Sequence, residues 1–390
     1  MFNLMCLISS YWKLCGMFSI QLDYNRSQIV FTLLVLITCL LSIAITPWSI
    51  CMLDGWCDDE MSTALRRLYT RVLACTSLLS RLTLTYKVKR NLTKYKERSD
   101  AYEESWPISD DYLKRFRTYS YLMITLMAII FPINFMRLYL MYKYEPESDV
   151  TYLIVFFLCA YIQNWSMCCM ETHFLLLCFS VHLKLCDINQ ALEILKTKIM
   201  INNRYPIVLR STRATVLCQR TSTERCIDNL QIAYTAEQLR TRHAFARDAI
   251  SDLNNLFGIQ LGLSLCALSV MTLFDIYNES FHMSGTLSRS KLIYGWLLQY
   301  ILRYILITIT AHYTTKEALK TKMIITDADH RNLDKNTKYE LQLFLMQINN
   351  HSLNFKAFDC VILNTHLITS TITVGITYLF ILIQFHSNMA

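Results

Sequence analysis

Apolar segments long enough to cross a bilayer recur along this chain, and the charged residues collect between them. A helix needs about 20 predominantly apolar residues to span a hydrocarbon core. Seven segments meet or approach that length: 29–52, 64–86, 118–142, 151–185, 253–277, 291–313 and 360–385. Backbone N–H and C=O groups in lipid must be satisfied internally, which leaves helical bundles and closed barrels. Each segment is about twice as long as a barrel strand needs to be. With only 7 Gly and 5 Pro in 390 residues, there is little material for tight turns between strands. The expected fold class is an all-α membrane protein with seven transmembrane helices.

Composition supports that class and excludes others. The chain is 53% hydrophobic and 17% charged, against about 25% charged in soluble domains. The net charge of +8 comes from Lys and Arg placed between spans. Membrane orientation explains that placement, so no nucleic-acid partner is expected. The 15 Cys lie mostly inside spans, without zinc-finger spacing or a secreted disulfide framework. Cys51 and Cys57 are candidates for a pair at the outer end of the first span. Residues 1–10 are apolar but have no basic n-region or small-residue cleavage site, so no cleavable signal is expected. The run from Cys168 to His173 matches no zinc pattern and reads as a packed helix face. No Gly-rich phosphate loop, nucleophile elbow or catalytic triad is present. The chain is therefore expected to be a non-enzyme with no catalytic residues, no metal and no cofactor.

Taken in order, 1–28 is a cytosolic lead-in and 29–185 carries spans one to four, the fourth being longer than a bilayer requires. Region 186–252 is polar, yet Leu185, Ile188, Leu192, Leu195 and Ile199 recur at helical spacing, so it reads as a cytosolic helical anchor. Spans five and six occupy 253–313. A cytosolic loop and an amphipathic anchor helix (339–358) fill 314–358 and lead directly into the last span, 359–386. Pro132 marks a candidate kink in span three.

Charge fixes an orientation. The second, fourth and sixth connectors are rich in Lys and Arg, while the first, third and fifth carry few. By the positive-inside rule the N-terminus is cytosolic and the C-terminus extracellular. That is the reverse of a G-protein-coupled receptor. The sequon Asn278-Glu279-Ser280 then lies outside, which makes Asn278 a glycosylation candidate.

The last span closes on Thr377-Tyr378, five apolar residues, then Gln384-Phe385. At 100° per residue Ser370, Val374, Thr377, Ile381 and Gln384 fall along one stripe, which is more polar than the opposite face. This spacing resembles the signature of the insect gustatory receptor family and matches it at all four named positions. The inverted seven-helix layout is similar to the same superfamily. The resemblance implies the insect chemoreceptor fold: a tetrameric, ligand-gated cation channel whose four last helices line a pore. It also implies a ligand pocket in the first six spans and a cytosolic anchor joining the subunits. Ser370, Thr377, Ile381, Gln384 and Phe385 are then the pore and gate candidates.

Six charged residues lie within or near spans: Arg71, Arg81, Arg137, Glu171, Asp275 and Arg303. Each costs about 2.5–3.5 kcal/mol at mid-membrane, so each is expected to face protein or water; Arg81 is expected to snorkel to an interface. Arg137 and Asp275 are placed to pair in the outer thirds of spans three and five. The ligand-binding candidates are Asn134, Arg137, Asn164, Trp165, Asp275, Trp296, Gln299 and Tyr300, a mix of aromatic and polar side chains that suits small organic molecules. In the resembling family, sugar receptors usually carry Glu after the Thr-Tyr pair. Leu379 stands there in this chain, which favours a receptor for bitter or other aversive compounds. The expected partners are a small-molecule tastant, permeating cations, membrane lipid and further gustatory receptor subunits in a homo- or hetero-tetramer. The expected location is the plasma membrane of chemosensory neurons. The alternatives are a sugar-responsive gustatory receptor, an odorant receptor of the same superfamily, or a non-channel transporter or scaffold.

Overall fold

The computed structural model describes residues 30, 33–41, 43–44, 60–144, 150–204, 218–281, 287–328, 333, 335–350 and 353–389. The candidate pair Cys51 and Cys57 lies outside them. The described residues are almost entirely helical. A first stretch, α1, covers 33–41. It is followed by α2 (Glu60–Ser105), α3 (Asp110–Tyr144), α4 (Val150–Arg204), α5 (Cys218–Phe281), α6 (Leu287–Thr326), α7 (Lys335–Asn350) and α8 (Thr365–Met389). A two-stranded antiparallel hairpin, β1 (Lys356–Ala357) and β2 (Val361–Ile362), sits between α7 and α8.

At 1.5 Å per residue, α4 and α5 are far longer than a bilayer is thick, so each carries an apolar half and a polar half. The described residues of region 186–252 belong to these polar halves: α4 runs on to Arg204, and α5 starts at Cys218. Segments of α4, α5 and α8 are long and apolar enough to cross a membrane, and α2 holds a shorter apolar stretch, Val72–Thr83. Helix α3 continues through Pro132. Helix α5 runs past the expected end of its span to Phe281, so Asn278 occupies its last turn and not a loop; the Asn278 side chain is outside the description.

Helix α5 is the element the others pack on, touching α2, α4, α6, α7 and α8. The core is continuous along it, from Ile232, Ala236 and Leu239 through Leu253, Phe257 and Leu261 to Leu268 and Met271. Its polar half is clamped to α2 by charge: Arg98 pairs with Asp252, and Lys94 reaches the same carboxylate at 3.5 Å. Beside them Tyr102 packs against Trp106 and Phe245, with centroids 5.1 and 6.4 Å away. Burial pushes the Tyr102 phenol up, against the opposing pull of the Arg242 guanidinium, which donates to its hydroxyl at 3.1 Å. Helices α4 and α6 are parallel neighbours, joined down their length by Asn189, which donates to the Glu317 carbonyl at 2.8 Å and accepts from Thr321 at 2.7 Å. Helix α7 buries Thr337, Leu341, Phe344 and Ile348, a stripe at helical spacing, against α5. Arg240 and Glu340 close that contact at 3.2 Å.

The junction before the last helix departs from the expected continuous run. Helix α7 starts at Lys335 and ends at Asn350, and Cys360 sits in the hairpin turn, not in a span. Phe358 and Asp359 have φ of 53° and 61°, a left-handed pair that an α-helix does not accommodate. Helix α8 begins only where Asn364 caps it, its side-chain oxygen accepting from the Leu367 N–H at 3.0 Å. The hairpin is held on one face of α5 at a four-residue spacing. The Lys356 N–H donates to Asn254 Oδ1 at 3.1 Å, the Phe358 N–H donates to the Gly258 carbonyl at 3.0 Å, and the Phe358 ring lies over Gly262. A Cβ at Gly262 would stand 2.3 Å from that ring, whereas one at Gly295 would meet nothing.

Gly262→Ala is therefore expected to destabilise the protein by about 1–3 kcal/mol through displacement of the ring. The cost should largely vanish in a Phe358→Ala background, because the two sites share one contact. Gly295→Ala should be neutral or stabilising. Thermal unfolding of the detergent-solubilised protein in the three backgrounds checks this.

Candidate functional site

Two places in the fold carry polar chemistry inside apolar surroundings. The first lies between α4, α5 and α6. On α4, Asn164, Cys168 and Glu171 recur at spacings of four and three, so they share one face. On α6, Gln299 and Arg303 are one turn apart and point toward that face. Ser264 comes from α5.

Arg303 is 8% exposed and Glu171 3%. The guanidinium grips the carboxylate with two parallel bonds, Nε to Oε2 and Nη2 to Oε1, both 2.7 Å. Its Nη1 donates to Asn164 Oδ1, also at 2.7 Å. The Ser264 hydroxyl donates to Glu171 Oε1 as well. Two opposite charges thus cancel within one forked contact, the geometry in which burial of an ion pair is tolerated. Nearby, Asn164 Nδ2 has no hydrogen-bond partner, and the Gln299 amide meets only the Cys168 thiol. Arg81 lies in the same bundle, 1% exposed, with its Nε donating to Ser166 at 2.5 Å. It does not snorkel as expected, because its guanidinium finds a hydroxyl acceptor inside the bundle.

The second place is the outer face of α8. Its segment Thr365–Gln384 is apolar enough to span a membrane, yet none of its most apolar window is buried against the rest of the chain. Leu367, Ile368, Thr371, Gly375, Leu379 and Leu382 are half-buried and face the bundle. Thr371 accepts or donates a 2.7 Å hydrogen bond with the Tyr304 hydroxyl. Ser370, Thr377, Ile381 and Gln384 are exposed, on the far side of the helix.

Among the ligand-binding candidates, the structure brings Asn164 to Arg303 and places Gln299 one turn from it. Tyr300 is fully buried in the core, and Trp165 packs against that core. Asp275 is half-buried on α5. The side chains of Asn134, Arg137, Trp296 and Phe385 lie outside the description, and with them the expected Arg137–Asp275 pair. Cys168 and Cys169 are buried, and among the described residues no group of three His, Cys, Asp or Glu side chains is placed to hold a metal. Sequence reasoning marked Glu171 and Arg303 as costly charges but missed that they pair, although their opposite signs at mid-span were the available signal. It also missed the Tyr304–Thr371 contact, for which the sequence offers no signal.

Removing one partner of the central pair leaves a buried uncompensated charge. Glu171→Ala is expected to cost about 3–5 kcal/mol, and Glu171→Met with Arg303→Met to restore most of it. The recovery of monodisperse protein from membranes for the single and double variants measures the difference.

Comparisons with known proteins bear on both places. Residues 198–389, from the end of α4 to the end of α8, match the family model described as 7tm Chemosensory receptor. No curated protein sequence matches the chain. Among solved structures, the insect olfactory receptor OR5 from Machilis hrabei superposes with a TM-score of 0.65 at 10% identity, covering 97% of this chain and 99% of that one. The same receptor in complex with eugenol gives 0.60 at 11% identity, with 97% of each chain covered. At such identities the likeness speaks for the fold. The sequence over residues 198–389 and the fold over nearly the whole chain agree: the chain is similar to the 7tm chemosensory receptor family in the first and to an insect olfactory receptor in the second.

Proposed function

We propose that this receptor is a ligand-gated, non-selective cation channel of the gustatory type, assembled as a tetramer of itself or with related subunits in the plasma membrane of chemosensory neurons. The observation that carries this reading is the state of α8. It is apolar and membrane-long, its apolar window is unburied in the single chain, and its Ser370, Thr377, Ile381 and Gln384 stripe faces away from its own bundle. A helix with a polar stripe on its unpacked side is suited to meet copies of itself around water. Gln384 is placed to offer amide dipoles to a dehydrating cation, and Ile381 with Phe385 to form a constriction that dewets when closed.

The ligand site is the polar cluster of α4, α5 and α6, with Asn164, Gln299, Trp165 and Tyr300 as its contacts. That the fold neighbour was solved with eugenol supports a small organic ligand. Leu379 after the Thr-Tyr pair supports the bitter or aversive branch over the sugar branch. The alternation of basic connectors supports a cytosolic N-terminus and an extracellular C-terminus.

Expressed in a non-neuronal cell, Ile381→Ala and Phe385→Ala are expected to raise cation current in the absence of ligand. Gln384→Glu should raise calcium block or permeation, because a charged ring governs selectivity at close quarters. If all three variants reach the surface with the basal current and ion preference of the wild type, α8 does not line a pore. An epitope after Ala390 should stain on intact cells and one before Met1 only after permeabilisation; the reverse pattern refutes the orientation.

A further inference from the structure

The inter-helix cluster has a charge balance and a set of idle hydrogen-bonding atoms that together define a ligand class. The Arg303 guanidinium has Nε and Nη2 on Glu171 and Nη1 on Asn164, and Glu171 also accepts from Ser264. The positive and negative charges are satisfied by each other. A carboxylate or an ammonium would therefore bring an uncompensated charge to a site whose own charges already cancel.

The amides beside the pair are in the opposite condition. Asn164 is 2% exposed and has no partner for its Nδ2. Gln299 is 7% exposed, and its amide meets no nitrogen or oxygen partner, only the weakly hydrogen-bonding Cys168 thiol. Buried polar groups are nearly always hydrogen-bonded, because leaving one unmade costs its full desolvation. Helices α4 and α6 run parallel, as their successive contacts show: Asn164 to Arg303, Cys178 to Thr314, and Asn189 to Thr321. Asn164 precedes Glu171 by two turns and Gln299 precedes Arg303 by one, so both amides lie on the same side of the ion pair, toward the N-terminal ends of the two helices. Tyr300 is buried in the core of the same bundle and Trp165 packs against it, so both helices also carry aromatic rings.

We propose that this pair of amides, set above an internally neutralised ion pair, selects uncharged aromatic ligands that carry both a hydrogen-bond acceptor and a donor, such as a carboxamide, lactam or phenolic hydroxyl. The acceptor takes the Asn164 and Gln299 N–H groups, and the donor serves Gln299 Oε1. A carboxylate brings acceptors only and a negative charge, while the Arg303 charge is already balanced by Glu171. An ammonium brings donors only and finds Glu171 engaged. This deepens the proposed function and rests on the reading of the cluster as the ligand site.

The test uses the purified full-length receptor in detergent and three probes of one shape: benzamide, benzoate and benzylammonium. Benzamide is expected to raise the thermal midpoint, and the two ions are not. Gln299→Met and Gln299→Leu remove an amide that meets only the Cys168 thiol in the ligand-free protein, so both should leave the ligand-free midpoint unchanged or higher. They should also weaken benzamide binding about tenfold, the loss of one buried hydrogen-bonded group. A lower ligand-free midpoint in both variants makes Gln299 a structural residue and overturns the proposal. So does stabilisation of the wild type by benzoate or benzylammonium equal to that by benzamide, or no stabilisation by benzamide up to its solubility. The readout is binding and not conduction, so a silent channel that still binds benzamide selectively refutes the channel reading alone. A conducting channel indifferent to all three probes refutes the ligand class alone.

Discussion

A guanidinium in an apolar bundle has to bring its counter-charge with it. Arg303 and Glu171 meet that demand across α4 and α6 with two parallel bonds, and Ser264 draws α5 into the same contact. The pair is the point where three membrane-length helices are tied by direction-dependent bonds and not by apolar packing alone. In lipid such bonds matter because a neighbouring Leu gains little from choosing protein over acyl chain. The parallel register of α4 and α6 follows from this contact and from the Asn189 bonds lower down.

The same economy explains the contrast between the bundle and the last helix. Helices α4, α5 and α6 bury their polar residues against each other, whereas α8 rests on the bundle through one half-buried, mostly aliphatic face and the Tyr304–Thr371 bond. What positions α8 is its base. The hairpin sits on Asn254, Gly258 and Gly262 of α5, and Asn364 starts the helix one step later. The left-handed pair Phe358–Asp359 costs about 1–3 kcal/mol per residue in general terms. It persists because hairpin bonds on both sides and the α5 face over-determine it. Helix α7 reaches α5 from the other direction through Phe344 and Glu340, so the segments flanking the hairpin share one support. The geometry links the long polar half of α5 to the start of α8, which is long and apolar enough to cross a membrane.

Much of this was legible in the order of residues. Segment length and the scarcity of Gly and Pro gave a helical membrane protein, and the Thr377-Tyr378…Gln384-Phe385 spacing gave the receptor resemblance that the family match then met. The helical run from Leu185 to Ile199 was readable because period 3.6 survives in a polar segment. The start of α8 was not readable. Residues 353–364 carry enough apolar side chains to pass for helix, but the left-handed dihedrals of Phe358 and Asp359 and the hairpin pairing around them exclude it. Arg81 was misplaced for a related reason: interface snorkelling and internal burial look alike until Ser166 is seen opposite.

The sequence by itself determined the helical class, the family resemblance and the stripe of α8, because each depends on local periodicity or on residues close together in the chain. Only the tertiary structure decided that Glu171 neutralises Arg303 across 132 residues and leaves Asn164 and Gln299 as the idle polar atoms. The reason is that a charge or an amide in a span states only that a partner is needed. Which partner it takes depends on helix register and neighbour identity, and these are set by the packing of the whole bundle.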